Sequence, residues 1–157
     1  MRCGVTSRAR SSVCGPIGWT STTCTESAAR GIGFVAFSPI ASGLLSGKVT
    51  ERTQFERYDD VHTWVPQLSR RNIRGNRPIV ELVERFAARK HATPAQISQA
   101  WMLAKYPCVV PIPGSKNKER IIENLDAAQV ELTDEEFREL DDELGRLHVY
   151  GHRGFSR

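Results

Sequence analysis

Two short apolar runs, separated by segments that carry helix signals, constrain this chain more than any other feature. "GIGFVAFSPI" (31–40) and "CVVPI" (108–112) are bounded by glycine and proline, and each suits a strand buried on both faces of a parallel sheet. The first continues into "ASGLLSGKV", a loop with two glycines, and then into an irregular polar stretch to about Gly75. Asn76 is placed to cap a helix that opens near Pro78, puts Ile79, Leu82, Val83, Phe86 and Ala87 on one face, and ends near His91. "TPAQISQAWMLAKY" repeats the device. Thr93 is its cap, Pro94 its first helical residue, Gln96 completes a capping box, and Ile97, Ala100, Trp101 and Ala104 form the buried stripe. After the second apolar run, "NKERIIENLDAA" and "LTDEEFRELDDEL" are helical, the latter with a Thr133/Glu136 capping box. Strands that alternate with helices make parallel βα units, so the fold class is α/β.

Composition places the chain among ordinary soluble globular proteins: 157 residues, 39% hydrophobic, a quarter charged, net charge +4. There is no apolar run of spanning length and no apolar stretch of signal-peptide type, which leads us to expect a cytoplasmic protein with no membrane partner. Arg70, Arg71, Arg74 and Arg77 cluster, but a loop of this kind is a solvated surface more often than a nucleic-acid site. No CxxC occurs, the histidines lack zinc-ligand spacing, and no metal is expected. Three of the four cysteines lie within the first 24 residues, so two disulfides are not expected, and Cys108 reads as a small buried hydrophobe. Residues 1–30 show neither helical nor strand periodicity and are expected to be disordered, or to be an out-of-frame translation. Reading "PIGWTSTTCT" from each third base permits the string "DRLDLYYLH", a strand-like sequence ending in histidine. Residues 31–157 carry all the fold signals.

The stretch "PIPGSKNKERIIEN" (111–124) joins a strand end to a helix start. Ligands of βα units bind beyond the carboxyl ends of the strands, where an anion meets free backbone N–H groups and the positive end of the next helix. Gly114 allows close approach to the backbone there, Ser115 supplies a hydroxyl, and Lys116 and Arg120 supply charge. Arg120, Glu123 and Asn124 stand at i, i+3 and i+4 on one helical ridge, a cation, a carboxylate and an amide suited to a phosphorylated adenosine. A solvated helix start with an incidental Arg–Glu pair has the same residue pattern.

"GFVAFSPIASGLLSGK" together with "VVPIPGSKNKERIIENLDA" resembles the C-terminal part of aldo-keto reductases over roughly residues 31–144. The resemblance implies part of a (β/α)8 TIM barrel that transfers a hydride between NADPH and a small-molecule carbonyl or alcohol, with Gly31–Phe37 as the seventh strand and Cys108–Ile112 as the eighth. It implies that Phe37 stacks on the nicotinamide, that Ser38, Pro39, Ile40, Ser42 and Gly43 pass over the pyrophosphate, and that Gly114, Ser115, Lys116, Arg120, Glu123 and Asn124 hold the 2′-phosphate and adenine. Two cations beside a serine favour NADP over NAD. Ala41 stands where glycine is usual, so its methyl is expected to narrow the backbone's approach, and Ser42 stands where arginine is common. The family's Asp, Tyr, Lys and His belong to earlier strands, and Tyr58, Tyr106 and Tyr150 match none of them, so no catalytic residue is assigned. Beside this stands a second expectation, a non-catalytic nucleotide-binding or interaction fragment, and the oligomeric state is left open.

Overall fold

A computed structural model of the chain describes residues 32–55, 65–106 and 108–151. The expectations for residues 1–30, and for Tyr58, lie outside these. Strand β1 (Phe34–Phe37) pairs in parallel with β2 (Val109–Ile112), with Phe34 opposite Val109 and Phe37 opposite Ile112. A parallel pair cannot be closed by a tight hairpin. The crossover here contains a 3₁₀ turn (Ala41–Ser46) and helices α1 (Arg70–Gly75), α2 (Arg77–Lys90) and α3 (Pro94–Lys105), and β2 is followed by α4 (Lys118–Asp126) and α5 (Asp134–Arg146). The described residues are thus α/β, mostly helical, around a two-stranded sheet.

The strands alternate instead of being buried on both faces. Ala36 and Val109 are 2% and 7% exposed, whereas Val35, Phe37, Val110 and Ile112 lie between 50% and 60%. Side chains on a strand point to opposite faces in turn, and the helices cover only one of them. The covered face meets Leu44 and Leu45 of the 3₁₀ turn, Ile79, Val83 and Phe86 of α2, Ile97 and Trp101 of α3, and Leu140 and Leu144 of α5 in one cluster. Cys108 is half-buried and disulfide-bonded, not a buried free thiol. Among the described residues no helix is long and apolar enough to cross a membrane.

Local sequence accounts for most helix ends. Thr93 and Thr133 each accept the N–H of the residue three positions on, and Gln96 and Glu136 reach back, closing both capping boxes. Asn76 departs from expectation. Its side chain makes no cap bond but exchanges two 2.9 Å hydrogen bonds with the backbone of Tyr150, pinning the tail over the α1–α2 junction. Helix α1 was not expected in the polar stretch; Ser69 caps it and only Ile73 is buried. On α3 the buried residues run without a break from Ile97 to Met102, so this helix is enclosed on all sides there and not along one stripe, and Ala104 at its end is exposed.

Helices α2 and α5 are laced by Arg85–Glu143, Arg89–Glu139 and Lys90–Glu136 ion pairs. Arg89 also lies 4.6 Å above the ring of the fully buried Phe86. Glu136 serves twice, accepting from Thr133 N at 2.9 Å and from Lys90 Nζ at 2.8 Å. These bonds, the Lys90 one foremost, hold its carboxyl below the ordinary value of 4.5. A depressed carboxyl pKa contributes stability that is present above the unfolded value and lost as pH falls through the folded one.

Replacing Glu136 by Gln keeps the capping box but removes the ion pair; denaturant melts should show a loss of about 1 kcal/mol at neutral pH. That difference should shrink as pH falls below 4.5. Phe86→Ala, in the core, should cost about 3–5 kcal/mol, whereas Val110→Thr on the bare sheet face should cost about 0.5 kcal/mol or less and reduce binding of an apolar dye.

Candidate functional site

The carboxyl ends of β1 and β2 are neighbours, because Phe37 and Ile112 are register partners. From Phe37 the chain enters a loop with an unusual backbone. Ser38, Ala41 and Ser42 all have φ near +50°, followed by Gly43 at +89° and Gly47 at +72°. Left-handed backbone costs a residue with a Cβ roughly 1–2 kcal/mol, so something must hold it. Ser38 Oγ accepts from Ser42 N at 3.2 Å, and Ser46 Oγ donates to the Gly43 carbonyl at 2.6 Å. Pro39, Ala41, Leu44 and Leu45 are buried beneath. Ala41, 1% exposed, turns its methyl into the core, so it does not narrow the backbone's approach on the solvent side.

From Ile112 the second loop runs through Pro113 to Asn117. At Gly114 an added Cβ would meet nothing within 4 Å, so the backbone is open on that side. Ser115 Oγ accepts from Asn117 N at 3.1 Å, and Asn117 Oδ1 caps α4 by accepting from Arg120 N at 2.9 Å. Lys116 and Arg120 are exposed, and among the described residues neither makes an ion pair.

Glu123 and Asn124 are half-buried and held from behind by α3. Gln96 Nε2 donates to the Glu123 carbonyl at 3.0 Å, and Gln99 Nε2 donates to Asn124 Oδ1 at 3.0 Å. Lys48, just past the 3₁₀ turn, reaches the Glu123 carboxylate at 4.0 Å and so links the two loops. Lys48, Gln96, Gln99 and Asn117 were not expected at the site. No local signal pointed to Gln99, which lies on the side of α3 opposite the stripe of Ile97, Ala100, Trp101 and Ala104, nor to Lys48, whose contact is long-range.

The expected residues therefore fall into two groups on adjacent strand ends. Phe37, Ser38, Pro39, Ile40, Ser42 and Gly43 follow β1, and Gly114, Ser115, Lys116, Arg120, Glu123 and Asn124 follow β2. The Lys48–Glu123 ion pair bridges the two loops. A pocket lined by Leu44, Gly47, Arg77 and Glu84 includes none of them. Tyr106 lies at the opposite, amino end of β2, where its carbonyl accepts from Val109 N, and its ring packs edge-on against Trp101. Tyr150 packs against His148 over the α1–α2 junction.

The sequence profile of the Aldo/keto reductase family matches residues 20–144. Aldo-keto reductase str7 of Strobilurus tenacellus is 36% identical over 106 residues, 68% of this chain and 31% of that protein. Probable aldo-keto reductase 1 of Glycine max is 33% identical over 127 residues, covering 80% of this chain and 36% of its own length. Aldo-keto reductase yakc [NADP(+)] of Schizosaccharomyces pombe is 30% identical over 122 residues, 78% of this chain and 36% of that protein. The chain spans about a third of the length of these relatives. With its two strand-end loops and their order along the sequence, the chain belongs to the aldo/keto reductase family.

Proposed function

We propose that residues 31–157 are the C-terminal, cofactor-binding part of an NADPH-dependent oxidoreductase barrel that reduces a small-molecule carbonyl to an alcohol. The observation that carries this is the pairing of Phe37 with Ile112, which sets the two loops side by side at one end of the sheet. The donor set fits a phosphorylated adenosine. Lys116 and Arg120 are cations without an acidic partner among the described residues, the Gly114 backbone is open, and a carboxylate and an amide follow on α4. A dianionic 2′-phosphate takes charge-assisted bonds from the two cations, which strengthens NADP relative to NAD. Phe37, 60% exposed at the tip of β1, offers a ring face for the nicotinamide. The Ser38–Gly43 backbone is set in advance to pass over the pyrophosphate. When bound, the cofactor supplies the hydride; this chain's own residues bind and orient it.

Proton donation is a separate matter. Tyr106 and Tyr150 both lie away from the strand tips, so neither is assigned as the acid. That placement favours a second reading, in which this chain binds the nucleotide without turnover of its own. Two members of the arginine cluster are engaged by carboxylates, Arg74 by Glu51 and Arg77 by Glu81.

Fluorescence titration of the full chain with NADPH and with NADH tests the proposal. NADPH should bind more tightly, and Lys116→Ala with Arg120→Ala should remove on the order of tenfold to a hundredfold of NADPH affinity while leaving NADH nearly unchanged. Equal losses for both cofactors would refute the assignment of the two cations. Consumption of NADPH with an aldehyde present separates the enzyme from the non-catalytic reading.

A further inference from the structure

The two edges of the sheet are not alike. Phe34 N donates to the Cys108 carbonyl at 2.8 Å, and with Phe34 opposite Val109 this sets the direction of every amide in the ladder. Phe34 and Ala36 of β1, and Val110 and Ile112 of β2, turn their backbone groups toward the partner strand; Val35 of β1, and Val109 and Pro111 of β2, turn theirs outward. The outward edge of β2 has no amide to offer. Val109 N donates to the Tyr106 carbonyl at 2.9 Å, Pro111 has no N–H, and Pro113 just past the strand has none either. The outward edge of β1 is open: neither Gly33, just before the strand, nor Val35 has a hydrogen-bond partner on that side among the described residues. Gly33, Val35 and Phe37 all belong to the bare face and are exposed, Val35 at 58% and Phe37 at 60%.

We propose that this edge is a self-association surface, on which β1 of a second copy of the chain pairs antiparallel about a two-fold axis at Val35. At that axis Val35 faces Val35 of the other copy as a hydrogen-bonded pair that exchanges both N–H···O bonds, and Gly33 of each copy lies opposite Phe37 of the other. A glycine two residues before the axis and a phenylalanine two residues after it match each other on reversal, so each ring covers the one strand position that has no side chain. An added Cβ at Gly33 would meet only the Cys108 carbonyl, at 3.9 Å, which leaves room for a ring beside it. Self-complementarity is what singles out a second copy over an arbitrary extended peptide. The blocked edge then fixes the stoichiometry. Open-ended growth needs two adhesive edges on each copy, and β2 has no donors outward, so the assembly closes at two chains. The proposal stands apart from the nucleotide-binding reading, which needs no second copy.

Sedimentation velocity on the full chain over a range of concentrations tests this. The unaltered chain should pass from one chain to two and go no further. Val35→Lys and Val35→Glu, at an exposed position, should each raise the concentration needed for pairing by on the order of tenfold, because like charges then face each other across the axis. An equal mixture of the two variants should restore the pair. Pro111→Val, which returns an N–H to the edge of β2, should allow assemblies larger than two. A chain that stays monomeric up to millimolar concentration, charged variants that pair as the unaltered chain does, or a mixture no better than either variant alone would overturn the proposal. Growth of the unaltered chain beyond two, or a Pro111→Val chain that still stops at two, would overturn the part assigned to the β2 edge. Hydrogen exchange on the unaltered chain covers the case in which a charged variant does not fold: the Val35 amide should exchange more slowly as concentration rises, and an exchange rate independent of concentration would count against the proposal.

Discussion

Everything described here depends on the parallel pairing of β1 with β2. A parallel pair demands a long crossover, and the crossover supplies α2 and α3, which bury Ala36 and Val109 from one side. The same pairing aligns the carboxyl ends, so that two loops 75 residues apart between Phe37 and Ile112 emerge side by side. Were β2 shifted by one residue, its alternation would turn Val109 out and Val110 in, and the loop after Ile112 would lose its place opposite Phe37. Register is thus the link between packing and site: the fit of Val109 into the core cluster fixes where Gly114 and Ser115 stand.

The helices were legible because their signals are local. Thr93-Pro94-x-Gln96 and Thr133-x-x-Glu136 close their capping boxes within one turn, and the stripe Ile79, Leu82, Val83, Phe86, Ala87 is buried in full. What was not legible depends on partners far along the chain. Asn76 has the right side chain to cap α2 but bonds to Tyr150, 74 residues away, which no local pattern encodes. Helix α1 hides because four of its six residues are arginine or glycine and one buried isoleucine sets up no period. The apolar runs named the strands but not their exposure. An unbroken run of Val, Ala and Phe looks the same whether one face is covered or two, and the coverage is decided by how many helices pack there.

The site divides in the same way. The order Gly114, Ser115, Lys116, Arg120, Glu123, Asn124 could be read as a strand end entering a helix, because each residue type suits its place in that local geometry. The bracing behind it could not. Gln96 and Gln99 come from another helix, and Lys48 from the other loop, so their contacts exist only once β1, α3 and α4 are assembled. Gln99 left no trace in the sequence, since it lies on the side of α3 opposite the apolar stripe and is buried only because α4 packs there.

The loop after β1 shows how the core serves the surface. Three residues with side chains hold left-handed backbone within five positions, a cost of several kcal/mol if each takes roughly 1–2 kcal/mol. That cost is met in folding, by burial of Leu44 and Leu45, each 2% exposed or less, and of Ala41 at 1%. Ser38 and Ser46 add hydrogen bonds that tie the turn to its own backbone. The shape of the loop is therefore determined by the same apolar cluster that seats β1, before any ligand arrives. A loop ordered in this way spends none of a ligand's binding energy on its own ordering, whereas a glycine-only loop of equal length would have to be fixed on each encounter. The alanine at position 41, unusual as a left-handed residue, is tolerated because its methyl belongs to the core.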